Sequence, residues 1–236
     1  MSAPDVVRFP RLLPAVFLAR PNRFLIQAAL GGTTVEAACA DPGRLIELLR
    51  PGVPLLLAPC RPEAIRRTRY TAMLAREGRT WVSVQPVLAN RVFGQAVDAG
   101  LAAGLSEWRV AGREVRHGAS RFDFLLSNRK RRILTEVKSV SLVDGGQALF
   151  PDAPTARGVR HVRELIAHRA AGGESMLVFV VQRPDADRVS PYAAVDPELT
   201  AAVGEARRAG VRLAAYTCRI GPTGCRLDKP IPVVVS

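Results

Sequence analysis

Residues 175–182 read Ser-Met-Leu-Val-Phe-Val-Val-Gln, an apolar run without a single charge. A strand that is apolar on both sides must be covered on both sides, so it belongs in the middle of a sheet with helices packed on it. The flanking sequence supplies such helices. Residues 87–103 place Leu88, Val92, Ala96 and Ala99 on one stripe at helical spacing. Residues 156–171 do the same with Val159, Val162 and Ile166, and Thr155 is their expected N-cap. A third helix is expected over 198–209, and further strands over 113–117, 121–126, 132–140 and 211–217.

The first third is patterned differently. Strands are expected over 15–20, 23–30 and 33–38, with Gly31-Gly32 as a hairpin turn. Asp41-Pro42-Gly43 leads into a short helix over 44–50, which Pro51-Gly52 ends, and strands resume over 53–58, 67–76 and 80–84. Three strands, a short helix and more strands is the order of an OB-type barrel. The pattern changes at Gln85-Pro86. The expected fold is therefore α/β (α+β), with an OB-like β-barrel over 1–84 and a mixed sheet with flanking helices over 85–236. The apolar stretch 12–19 is short, holds Pro14 and has Arg at both ends, so neither a membrane span nor a signal peptide is expected there.

The 236 residues hold 34 Lys and Arg against 21 Asp and Glu, a formal net charge of +13. Such an excess attracts polyanions, nucleic acid first and an anionic membrane surface second. The plain alternative is a surface merely written in arginine. Lysine occurs only at Lys130, Lys138 and Lys229, and a lysine kept in an arginine-biased chain points to chemistry that arginine cannot replace. The four cysteines form no C-x-x-C pair and read as reduced thiols of a cytoplasmic protein. Three scattered histidines are too few for a zinc site. Phosphate-loop, dinucleotide and nucleophile-elbow motifs are all lacking.

Asp123 interrupts an apolar strand, and alternation turns it away from Phe122 and Phe124. Thirteen positions on, Glu136 and Lys138 point to one face of the next strand and Val137 to the other. Antiparallel neighbours would bring the two carboxylates together. Their repulsion is relieved by a divalent cation, and oxygen ligands suit Mg²⁺ or Mn²⁺. Such an ion stabilises the charge that develops in phosphodiester hydrolysis, with Lys138 placed to hold the attacking water. A salt-bridged pair at a sheet edge is the competing reading.

Taken together, several motifs resemble the sugar fermentation stimulation protein A family. They are 67–71, Ser120-Arg121-Phe122-Asp123-Phe124, Glu136-Val137-Lys138-Ser139-Val140, the segment 150–158 with His161, and Val181-Gln182-Arg183. The resemblance implies an OB-like domain followed by a PD-(D/E)xK, restriction-endonuclease-like domain, DNA binding, and a role in sugar utilisation. It implies Asp123 and Glu136 as metal carboxylates, the Val137 carbonyl as a further ligand and Lys138 as the catalytic lysine. The chain departs from the family pattern twice. Gln95, five residues after Asn90, stands where the family carries Glu, which makes it a marginal ligand. Cys39-Ala40-Asp41-Pro42-Gly43 stands where the family has Cys-Pro-Asn-Thr-Gly.

Arg157 and His161 are expected to hold a phosphate near the metal, beside a helix N-terminus. Gln182 and Arg183 end the central strand, where side chains could reach the scissile group. Arg121, and the cluster Arg61, Arg66, Arg67 and Arg69 on the barrel, are candidate phosphate contacts. Tyr70 could stack on a base, and Trp81 and Trp108 are expected in the core. The expected function is a DNA-binding, Mg²⁺- or Mn²⁺-dependent endo- or exodeoxyribonuclease with little sequence specificity. The alternative is a DNA-binding regulator of sugar genes without turnover, favoured by Gln95. An enzyme of sugar metabolism rests on the family name alone.

Overall fold

The computed structural model describes residues 6–60 and 67–235. The first elements are β1 (Val7–Arg8), β2 (Leu13–Asn22), β3 (Leu25–Leu30), β4 (Thr33–Ala38), β5 (Pro54–Pro59), β6 (Tyr70–Glu77) and β7 (Thr80–Ser83). Five of them pair in the order β4-β3-β2-β5-β6, and a parallel pairing of β4 with β6 closes the ring. This is the five-stranded, OB-type barrel expected from the order of elements. Its interior is lined by Phe17, Ile26, Ala28, Ala37, Leu55 and Leu57, all buried.

The short helix expected over 44–50 does not form. The chain makes one tight turn there, with the Leu48 and Leu49 amides both donating to the Leu45 carbonyl. Leu45 lies at φ 51°, in the left-handed region, so the helix cannot propagate. Leu45, Leu48 and Leu49 instead plug one end of the barrel core.

The second part runs α1 (Pro86–Asp98), β8 (Arg109–His117), β9 (Ser120–Asn128), β10 (Arg131–Val140), β11 (Val143–Asp144), β12 (Gln147–Phe150), α2 (Ala156–Ala170), β13 (Glu174–Val181), β14 (Arg188–Pro191), α3 (Pro197–Arg208), β15 (Arg212–Gly221) and β16 (Gly224–Ile231). Seven strands form a mixed sheet in the order β1-β16-β15-β13-β10-β9-β8, and β11, β12 and β14 form a small sheet of their own. The apolar run does lie in mid-sheet: β13 pairs in parallel with β10 on one side and β15 on the other. Its alternate residues divide between two cores. Met176, Val178 and Val180 face α1, while Leu177, Phe179 and Val181 face α2 and α3. Each such buried side chain is worth roughly 1.5–3 kcal/mol relative to exposure.

The helix expected over 87–103 stops at Asp98. Gly100 adopts φ 73°, its amide donates to the Val97 carbonyl, and the Leu101 amide donates to Ala96. That is a Schellman ending, which a glycine makes inexpensive. β16 was not expected, because Asp228, Lys229 and Pro230 hide its alternation of buried Cys225 and Leu227. Nor was β1, which pairs Val7 with Cys225 and so joins the far edge of the seven-stranded sheet instead of the barrel. Among the described residues no helix is long and apolar enough to cross a membrane.

Candidate active site

β9 and β10 are antiparallel, but their ladder ends at the pair Phe124–Thr135. Opposite Asp123, β8 carries Glu114 at φ 51°, between the pairs Arg113–Phe124 and Val115–Phe122. The strand twists there, so Phe122 and Phe124 pack in opposite cores. The simple alternation read from the sequence is therefore corrected at this point. Where β9 peels away, Asp123 takes the place of a ladder partner: its Oδ2 accepts the Val137 amide at 2.8 Å. Its Oδ1 accepts the Asn90 side-chain amide, from α1, at 2.5 Å.

Glu136 and Lys138 share a face of β10, as alternation requires, and Val137 packs on the α1 side. The Lys138 ammonium donates to Glu136 Oε1 at 2.7 Å. His161 Nδ1 meets the same oxygen at 2.6 Å. Arg157 Nε approaches His161 Nε2 at 3.4 Å, which makes Nε2 the acceptor and puts the ring proton on Nδ1, donating to Glu136. The second carboxylate oxygen, Glu136 Oε2, is buried and has no hydrogen-bond partner among the described residues.

Electrostatics set the two acids apart. Burial, and then the negative charge of Glu136, pushes the Asp123 carboxyl up to about 6. Burial also pushes Glu136 up, but the hydrogen bond from His161 and the charge and hydrogen bond of Lys138 outweigh it and hold that carboxyl below its ordinary value. A fixed carboxylate next to one that resists ionisation is a site deficient in positive charge. The orphaned, buried Glu136 Oε2 is the acceptor a hard cation would use. With Asp123 and the Val137 carbonyl, this donor set suits Mg²⁺ or Mn²⁺, whose other positions water or phosphate oxygens would fill.

The remaining expectations fare unevenly. Gln95 lies on α1 with its Oε1 buried and unpartnered, and no hydrogen bond among the described residues joins it to Asp123 or Glu136. Gln182 is fully buried. Its amide donates to Ser139 Oγ at 2.6 Å and to the Gln85 carbonyl at 3.0 Å, so it braces the strand behind Lys138. His161 is buried and its two nitrogens are engaged, so it positions Glu136; the expected phosphate contact is corrected. Arg183 is also corrected. Its guanidinium is buried in a two-point ion pair with Asp185, at 2.6 and 2.7 Å, and is not free for a phosphate. Arg121 and Arg157, near the site, and Arg67 and Arg69, leading into β6, are exposed. Arg61 and Arg66 lie outside the described residues. Trp108 is buried as expected, whereas Trp81 is half-buried under the Arg76 guanidinium. Tyr70 packs against the barrel core.

That Asn90 is the partner of Asp123 does not follow from the sequence pattern. The available signal was an amide in the first turns of an apolar helix, at the head of the motif that ends in Gln95.

A closed OB-type barrel joined to a mixed sheet with Asp, Glu-x-Lys on adjacent strands defines a restriction-endonuclease-like protein with an OB domain. Residues 18–84 match the description "SfsA N-terminal OB domain", and residues 87–224 match "Sugar fermentation stimulation protein RE domain". The chain belongs to the sugar fermentation stimulation protein (SfsA) family. It is 45% identical to the sugar fermentation stimulation protein homolog of Moorella thermoacetica, over 94% of this chain and 96% of that one. It is 39% identical to the homolog of Chloroflexus aurantiacus, over 95% and 86%. The structure of Pyrococcus furiosus SfsA in complex with Ca²⁺ superposes with a TM-score of 0.90 at 29% identity, covering 97% of this chain and 98% of that one.

Proposed function

We propose that this protein binds DNA and hydrolyses its phosphodiester bonds with Mg²⁺ or Mn²⁺, with little regard to sequence. The observation that carries this reading is the buried carboxylate pair. Asp123 resists ionisation, and Glu136 keeps one oxygen without a partner, within reach of a lysine. The Ca²⁺ named with the Pyrococcus furiosus protein supports it, because that ion takes the same oxygen donors. The charge of +13 supports a polyanionic substrate.

Asp123, Glu136 and the Val137 carbonyl would hold the cation, which when bound supplies positive charge against the developing negative charge of the phosphate. Asn90 and the Val137 amide fix the Asp123 carboxylate, and His161 fixes that of Glu136. At rest Lys138 is tied to Glu136 Oε1. Its other two N–H bonds can orient a water for in-line attack. Arg121, 3.9 Å from the Glu114 carboxylate, and Arg157, beside His161, are exposed and would take neighbouring phosphates.

Incubation of plasmid DNA with the protein and Mn²⁺ should give nicks or fragments that Glu136→Ala abolishes. Gel retardation with no cleavage by either protein would instead support a DNA-binding regulator. Gln95 favours that rival, since a neutral amide cannot add the charge of a third carboxylate.

A further inference from the structure

A cavity of about 330 Å³ lies between the barrel and the seven-stranded sheet, and Val137 and Lys138 form part of its wall. It opens at the C-terminal end of β10, where ligands of open α/β sheets gather. Leu149 and Phe150 give it apolar walls, and Asp41 from the barrel and Asp152 from the other side also line it; Asp41 Oδ1 accepts the Gly43 amide at 2.8 Å. Its volume is at the small end of ligand cavities, which run about 300–1,000 Å³; it has room for one nucleoside and not for a base pair.

The barrel side of this cavity is fixed in place. One guanidinium, Arg20, donates to the carbonyls of Arg23, Asp41, Gly43 and Arg44 at 2.6–2.9 Å, tying together the two barrel loops that reach the cavity. The Asp152 carboxylate packs directly on Gly43, where a Cβ would fall 2.1 Å from it, and its Oδ2 accepts the Leu45 amide at 3.4 Å. Phe24, next in sequence to cavity-lining Arg23, is 59% exposed and no part of the barrel core. Arg23, which lines the cavity, lies over its ring at 5.9 Å. Phe24 sits in the loop between the first two barrel strands, one of the loops that flank the oligonucleotide face of OB barrels. The two other most exposed large apolar side chains, Ile46 and Val87, follow cavity-lining Gly43 and Pro86 by three residues and one.

We propose that this cavity is a single-nucleotide subsite: one unpaired DNA base enters between barrel and sheet, its neighbour stacks on Phe24, and its phosphate stays at the rim against Arg23 and Lys138. The carboxylates of Asp41 and Asp152 repel a phosphate, and the oxygens that do not take the Gly43 and Leu45 amides can accept base N–H groups, so the base and not the backbone goes in. The idea rests on the nuclease reading for the path of the strand past Lys138. It makes unpaired or frayed DNA the substrate, in preference to an intact duplex.

The test is fluorescence anisotropy in EDTA, with a labelled single-stranded oligonucleotide and its blunt duplex. The proteins compared are the parent, Phe24→Ala, and Ala153→Trp, which fills the cavity. Single strand should bind about tenfold tighter than duplex, and Phe24→Ala should lose about tenfold on single strand alone. Ala153→Trp should do the same and abolish the emission change of a 2-aminopurine base; if it fails to fold by thermal melting, Phe24→Ala carries the test. Equal affinity of the parent for both forms, or equal losses on both in Phe24→Ala, would overturn the proposal. Cleavage assays separate the two ideas. Single-strand preference without Mn²⁺-dependent cleavage sinks the nuclease reading and keeps the subsite. Equal cleavage of duplex and single strand keeps the nuclease and removes the subsite.

Discussion

Asp123 keeps its proton to about pH 6, against an ordinary carboxyl value of 3.8, because it is buried beside Glu136. A carboxyl whose folded value is raised contributes fully below the unfolded value, and that contribution is lost as pH rises through the folded one. At neutral pH and above, an ionised Asp123 therefore strains the metal-free fold. Asp123→Asn should make the protein more stable at pH 8 by roughly 1–3 kcal/mol, with the gain gone by pH 4, as read by urea unfolding in EDTA. Mn²⁺ should raise the melting temperature of the parent and leave that of the variant unchanged. A variant no more stable than its parent at pH 8 would remove the charge deficit on which the metal reading stands.

At the scale of elements, the site depends on α2, which carries His161, and α2 depends on its start. Thr155 caps it by accepting the Gly158 amide, and the Thr155 amide in turn donates to Asp196 Oδ2 at 2.8 Å. The other oxygen of Asp196 caps α3 through the Leu199 amide, also at 2.8 Å. One buried carboxylate thus holds the beginnings of both helices on that face of the sheet. Asp196→Ala should cost roughly 2–3 kcal/mol, measured by urea denaturation, and should weaken metal binding by loosening the helix behind Glu136. A loss below half a kilocalorie would show that the two helix ends hold without it.

Across the whole molecule the charge of +13 is spread over barrel and sheet alike, with Arg67 and Arg69 exposed on one and Arg121 and Arg157 on the other. Binding through phosphates should give a plot of log affinity against log salt with a slope on the order of −5. The affinity should change little with base sequence. A slope near zero would mean that the excess charge does not serve nucleic-acid binding.

The helices and the central strand were legible because their apolar residues follow local periods, 3.6 along α1 and α2 and an unbroken run along β13. The pair Asp123 and Glu136 was legible because two strands joined by a tight basic turn leave few ways to pair. The N-cap Thr155 was legible for the same local reason. What the sequence alone could not decide depends on contacts between distant segments. β1 adds to β16 across more than two hundred residues. His161 turns to Glu136 and not to a phosphate, and Asn90 reaches Asp123 from another layer. The barrel and the sheet meet around a cavity that neither encloses alone. Local periodicity is written in neighbouring residues, but which buried polar group finds which partner is decided only when the layers close.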